Sequence, residues 1–177
     1  MQIKIIRTND KRHWTEHKAR NIGARAASGD YLLMIDVDYI IPEQTIKTAL
    51  SFKGDRMNFT RKFGILNEQS EIISDKESML NYGAKPRWMK RDYVPGHRSQ
   101  FLMRKDLFWK LGGYNEALDG KWRRTGGAGE KFWRVWQRAE AAGTVKMHSE
   151  KPTIFMHPTG KFTTKHNALF HSLERKE

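Results

Sequence analysis

Five consecutive apolar residues, Tyr31-Leu32-Leu33-Met34-Ile35, end abruptly at Asp36-Val37-Asp38. A run that is continuously apolar, and not alternating, predicts a strand covered on both faces, as in the parallel sheet of an α/β protein. In extended backbone, residues two apart project to the same side. Both carboxylates are therefore expected at the sheet's carboxyl edge, with Val37 turned back to the core. That edge is where open α/β sheets bind ligands. Two close carboxylates repel unless a cation or water intervenes. Oxygen donors of this kind suit Mg²⁺ or Mn²⁺, ions that bridge carboxylates to substrate phosphates. The competing reading makes Asp36 and Asp38 turn formers that hydrogen-bond their own backbone.

The neighbouring patterns fit an α/β order. Ile3 to Arg7 reads as a short strand, and His13 to Ser28 as a helix with Ala19, Ile22 and Ala26 on one face, closed by Gly29 in a left-handed cap. Pro42 opens a second helix with an apolar stripe of Ile46, Ala49 and Leu50. Met57 to Phe63 reads as a strand and Ile72-Ile73 as part of an unassigned element. Ser99 to Met103 is a further strand, followed by a short helix from Asp106 to Leu111 that Gly112-Gly113 terminates. Glu130 to Ala142 is an amphipathic helix with Phe132, Trp133, Trp136 and Ala139 facing inward and Gly143 after it. Thr144 to Met147 and Ile154 to His157 read as short strands. No linker divides the chain, so one domain over residues 1–160 is expected, followed by a basic tail over 161–177.

Composition removes several function classes. The 177 residues include no Cys, which excludes disulfides, thiolate zinc sites and thiol nucleophiles. No apolar stretch is long enough for a signal peptide or a transmembrane helix, so a cytoplasmic protein is the default expectation. The net charge of +13 favours anionic partners without choosing among nucleic acid, phosphorylated metabolites and acidic surfaces.

The stretch from Ala19-Arg20-Asn21-Ile22-Gly23, through Gly29-Asp30-Tyr31, to Asp36-Val37-Asp38 closely resembles family 2 glycosyltransferases. Phe101-Leu102-Met103-Arg104 through Gly112-Gly113-Tyr114-Asn115-Glu116 is similar to a later segment of the same family, in the same order. The resemblance covers roughly residues 3 to 143. It implies a GT-A-like α/β fold with a mixed, mostly parallel sheet flanked by helices. It implies transfer of a sugar from a nucleoside-diphosphate sugar, with a UDP-sugar the expected donor, to an acceptor hydroxyl with inversion. Asp36 and Asp38 match the metal-binding pair, Asp38 being the more direct ligand, with Mn²⁺ or Mg²⁺ as the ion. Arg20 and Asn21 match the helix near the donor sugar and its phosphates.

Three departures qualify the match. Ile3 to Arg7 aligns best with the family's third strand, so the two strands that hold the nucleoside are expected to be missing. The family has Glu-Asp at the helix that opens near residue 130, the Asp being the usual base; this chain has Glu130-Lys131, leaving Glu130 as the candidate. His157 is the best match for a C-terminal metal-ligating His, ahead of His148 and His166.

Chemically, the cation would neutralise charge on the leaving diphosphate, and a carboxylate would take the acceptor proton. Glu130 follows Gly126-Gly127-Ala128-Gly129, read as a flexible approach with room for substrate, and the helix dipole favours its ionised form. Trp122, Arg123 and Arg124 could close over an acceptor or diphosphate. A different class of reading is a degenerate GT-A domain serving as a glycan-binding or assembly module; under either reading a homo-oligomer is open. Nucleic-acid binding rests on charge and on the mixed aromatic and basic residues from Trp88 to Arg98, without a recognised motif, and is not expected.

Overall fold

A computed structural model describes residues 5–12, 15–82, 98–119 and 128–156. By contacts the chain separates into two compact units, one of residues 1–36, 47–59 and 96–152, the other of residues 37–46, 60–95 and 153–177.

The first unit contains helix α1 (Glu16–Ala26) and strand β1 (Tyr31–Met34). A short strand β2 (Tyr39–Ile40) belongs to the second unit, as do residues 43–46 of helix α2 (Glu43–Ser51); the rest of α2 and strand β3 (Arg56–Asn58) belong to the first. Strand β7 (Phe101–Arg104) pairs antiparallel with β1 and with β3, giving the order β1-β7-β3. Helix α4 (Lys105–Lys110) leaves β7 directly, and helix α5 (Ala128–Ala141) completes the unit. Its core joins Leu32, Met34, Phe101, Met103, Phe108, Phe132 and Trp136. Gly112 and Gly113, at φ 91° and 61°, end α4 in the left-handed region as expected, and Gly143, at φ 69°, closes α5.

Arg56 is fully buried against this core. Its guanidinium lies 4.1 Å from the Phe101 ring centroid and 5.2 Å from that of Trp136, and donates to Asn58 Oδ1 and the Arg98 carbonyl. Burial pushes its pKa down to about 9, while the aromatic faces give the cation a partial substitute for water.

The second unit holds the order β2-β8-β4, with β4 at Thr60–Phe63 and β8 at Thr153–Met156. Strand β8 runs antiparallel to β2 and parallel to β4. A hairpin of β5 (Ile65–Leu66) and β6 (Ile72–Ile73) is followed by α3 (Lys76–Asn81), which Asp75 caps by accepting from the Ser78 N–H at 2.8 Å. Gly64 admits no side chain, because a Cβ there would lie 2.7 Å from the Phe155 ring.

Several expectations are corrected. The pairing is mixed and mainly antiparallel, not mostly parallel, because β7 opposes both its neighbours. Strand β1 is not covered on both faces: Leu32 and Met34 are buried while Leu33 is 40% exposed. Continuous apolarity alone does not distinguish the two cases. Residues 5–7 form no strand, and Ile5 is exposed. Helix α1 buries His17, Asn21 and Ala24, leaving Ala19 and Ala26 exposed. In α2 the buried residue is Thr45, whose hydroxyl donates to the Thr153 carbonyl at 2.6 Å, whereas Ile46 and Leu50 are exposed. Gly29 is not left-handed; the chain turns extended at Ala27. The span 57–63 divides at Phe59 into two strands, and Thr144 to Met147 supplies only a bridge from Met147 to Arg56.

Candidate active site

Helix α1 sets the first two candidate residues. Its start is held by a buried side chain distant in sequence: Asp119 accepts from the His17 and Lys18 N–H groups at 3.0 Å and meets the His17 ring at 2.9 Å. Those are donors that a helix start leaves without intrahelical partners, so Asp119 caps α1 from outside. One turn on, Arg20 is fixed by three acceptors: Glu16 at 2.9 Å, the Ser99 carbonyl at 3.2 Å, and Asp36.

Asn21, the next residue, is buried. Its Oδ1 accepts from the Tyr114 N–H at 3.0 Å, and its Nδ2 donates to the Tyr114 carbonyl and to Glu116 Oε1, each at 2.8 Å. Both amide hydrogens are thus used inside the protein. Gly113 must lack a side chain here, since a Cβ would lie 3.1 Å from Asn21 Oδ1 and 2.9 Å from the Trp109 ring.

Asp36 follows β1 by two residues. Its Oδ1 accepts from Arg20 Nη2 and its Oδ2 from Gln100 Nε2. Gln100 is 1% exposed, and its Oε1 has no partner among the described residues. Asp36 therefore sits in a cradle of α1 and the residue preceding β7. Val37 and Asp38 form a turn and not an extension of the strand, and Val37 is 81% exposed instead of returning to the core. Asp38 is exposed and makes no hydrogen bond or ion pair among the described residues.

Glu130 lies in the first turn of α5. It accepts from Arg98 at one oxygen and from Arg134 Nε at 3.2 Å at the other. Partial burial pushes its carboxyl up, but the two guanidinium groups outweigh this and hold it below the usual glutamate range. The reading of Gly126 to Gly129 as a flexible approach is corrected at Gly129. A Cβ there would lie 2.0 Å from Ser99 Oγ and 2.7 Å from its backbone N, so Gly129 permits tight packing of α5 on the 98–100 segment. Residues 126 and 127 lie outside the described residues, as do His157, His166, the Trp122-Arg123-Arg124 segment, and residues 88–97 of the aromatic and basic stretch. His148 meets Glu150 at 3.5 Å and packs edge-on against Phe52.

Sequence reasoning did not single out Arg98, Ser99 or Gln100, which together touch Arg20, Asp36, Gly129 and Glu130. The available signal was the polar pair Ser99-Gln100 at the start of an otherwise apolar segment.

Among the described residues, no three His, Asp or Glu side chains are grouped to hold a metal ion. Asp38 is the better-suited donor, because a hard divalent cation can be held by one or two carboxylates with phosphate oxygens completing its sphere. Asp36, with both oxygens engaged, is less available.

The model of glycosyl transferase family 2 matches residues 1–112, which include α1, β1, the two aspartates, β7 and α4. The chain belongs to this family, and its class is that of a glycosyltransferase domain. No curated protein matches it. The family implies a nucleotide-sugar donor and an acceptor, and no helix among the described residues is long and apolar enough to cross a membrane.

Proposed function

We propose that the chain transfers a sugar from a nucleoside-diphosphate sugar, with a UDP-sugar as the first candidate, to an acceptor hydroxyl with inversion. The observation that carries this reading is the Arg20–Asp36–Gln100 cradle directly after β1. A carboxylate fixed from both sides, with an exposed Asp38 two residues later, suits a site that meets the polar end of a donor. In this reading Asp36 and Asp38 form the metal-linked pair, with Asp38 in direct contact and His157 as a further candidate ligand. Bound Mn²⁺ or Mg²⁺ would neutralise charge on the leaving diphosphate.

The chain's own residues take the other roles. Arg20, already among acceptors, keeps positive charge beside the donor end. Asn21 holds α1 to the Tyr114 segment and acts on the donor through Arg20's placement. Glu130, kept ionised by Arg98 and Arg134, takes the acceptor proton.

Screening nucleoside-diphosphate sugars with Mn²⁺ or Mg²⁺ for free nucleotide tests the reading. Release that is lost in Asp36→Ala and Asp38→Ala supports it; release equal to a protein-free control with every donor contradicts it. The second reading, a non-catalytic module of the same fold, is favoured by one observation: Lys131 stands beside Glu130, where the family carries the acidic residue. Glycan binding without any nucleotide release would decide for it.

A further inference from the structure

Helix α5 separates its charges. Glu130 is engaged by Arg98 and Arg134, while Glu140 accepts from Trp136 Nε1 and the Met147 N–H. Lys131 and Arg138 have no acidic partner among the described residues. Spacings of three and four residues put Lys131, Arg134 and Arg138 along one stripe of the helix. All three line a cavity of about 360 Å³ whose apolar walls include Leu118, Phe132 and Val135.

Arg134 shares its charge with Glu130, so the charge left uncompensated by the described residues along the stripe is that of Lys131 and Arg138. Guanidinium groups pair with phosphate through two parallel hydrogen bonds, and an ammonium adds a point charge. Apolar walls exclude water and accommodate an apolar body, which strengthens the charged contacts beside them. The high net charge makes exposed cations common on this protein. What marks this place is the combination of concavity, apolar walls and the lack of a carboxylate among the described residues that line it.

The geometry points to a second anion site, built to take a phosphomonoester carried on a short apolar body. It goes beyond the transferase reading, because Arg20, Asp36, Asp38 and Glu130 do not line it. Its test also needs no activity. The phosphomonoester could be a soluble metabolite or the headgroup of a lipid.

Hexyl phosphate and inorganic phosphate are titrated into the full chain with amide chemical shifts as readout, and vesicles of phosphatidylcholine containing phosphatidic acid are assayed by co-sedimentation. Saturable binding of hexyl phosphate is expected, with shifts at Leu118, Phe132 and Val135 and weaker binding of inorganic phosphate. The double variant Lys131→Glu with Arg138→Glu is expected to weaken it about tenfold, a loss near 1.4 kcal/mol. Lys53→Glu with Lys76→Glu, which changes net charge equally at other exposed positions, is expected to leave it unchanged. Vesicle binding sensitive to the first double variant alone also supports the site and makes a headgroup its source. Equal weakening by both double variants shows only non-specific charge attraction and overturns the proposal. So does the absence of saturable binding of both hexyl phosphate and vesicles.

Discussion

The side-chain amide of Asn21 brackets the backbone of Tyr114, accepting from its N–H at 3.0 Å and donating to its carbonyl at 2.8 Å. Two motifs some ninety residues apart in sequence are thereby one structural unit. Replacing Asn21 by Leu leaves both backbone groups buried without partners. Urea denaturation is expected to show a loss of about 2–6 kcal/mol, since each of the two orphaned buried groups costs about 1–3 kcal/mol. A loss within a few tenths of a kcal/mol would mean that these bonds do not hold α1 in place.

Gly129 gives a second, steric prediction. Gly129→Ala forces α5 away from Ser99, because the added Cβ meets backbone as well as a side chain. The expected cost is about 1–3 kcal/mol, in spite of alanine's better helix propensity. A stabilised Gly129→Ala variant would show that the close approach is not maintained.

How much of this was legible beforehand differs by residue. The acidic pair, the Asn21 motif and the Gly112-Gly113 stop stand at fixed places in a recognisable sequence pattern, so α1, β1, β7 and α4 could be anticipated. Strand direction could not: Tyr31 to Met34 reads the same whether its neighbour runs parallel or antiparallel, and it is the fold that sets β7 antiparallel against it. Helix faces were misjudged for a related reason. In α1 the buried positions His17 and Asn21 are polar, with their hydrogen bonds made to Asp119 and Tyr114, partners too distant for periodicity to reveal. Gln100 escaped notice because its role depends on Asp36, sixty-four residues earlier.

Arg20 links Asp36 to α1 and to the Ser99 carbonyl. Arg20→Met removes these bonds and leaves Asp36 with Gln100 alone. Because the Asp36 side chain is 39% exposed, solvent recovers part of the loss, and a destabilisation of about 1–2 kcal/mol is expected. Nucleotide-sugar binding is expected to weaken as well, measured by calorimetry alongside denaturation. Unchanged binding would separate Arg20 from the donor site.

Glu130 supplies the pH dependence. Its carboxyl is held below the ordinary value by Arg98 and Arg134 against the opposing effect of burial. The stability contributed by this pairing is therefore present above the unfolded glutamate pKa of about 4.3 and lost as pH falls through the lower folded value. Removing Arg98 should raise the carboxyl's titration midpoint, and the acid limb of any transfer rate should rise with it. Carboxyl carbon shifts of Glu130 in Arg98→Ala and in the parent chain measure the first effect; coincident titrations would contradict the ion pair.

The central claim is that a divalent ion and a nucleotide sugar meet at Asp36 and Asp38. The direct measurement is the melting temperature with a UDP-sugar, with and without Mn²⁺, in the parent chain and in Asp38→Ala. The account predicts a rise that requires both ligands together and disappears in the variant, because ligands that bind only the folded state stabilise it by mass action. An equal rise in Asp38→Ala, or no Mn²⁺-dependent rise with any nucleotide sugar, would contradict it.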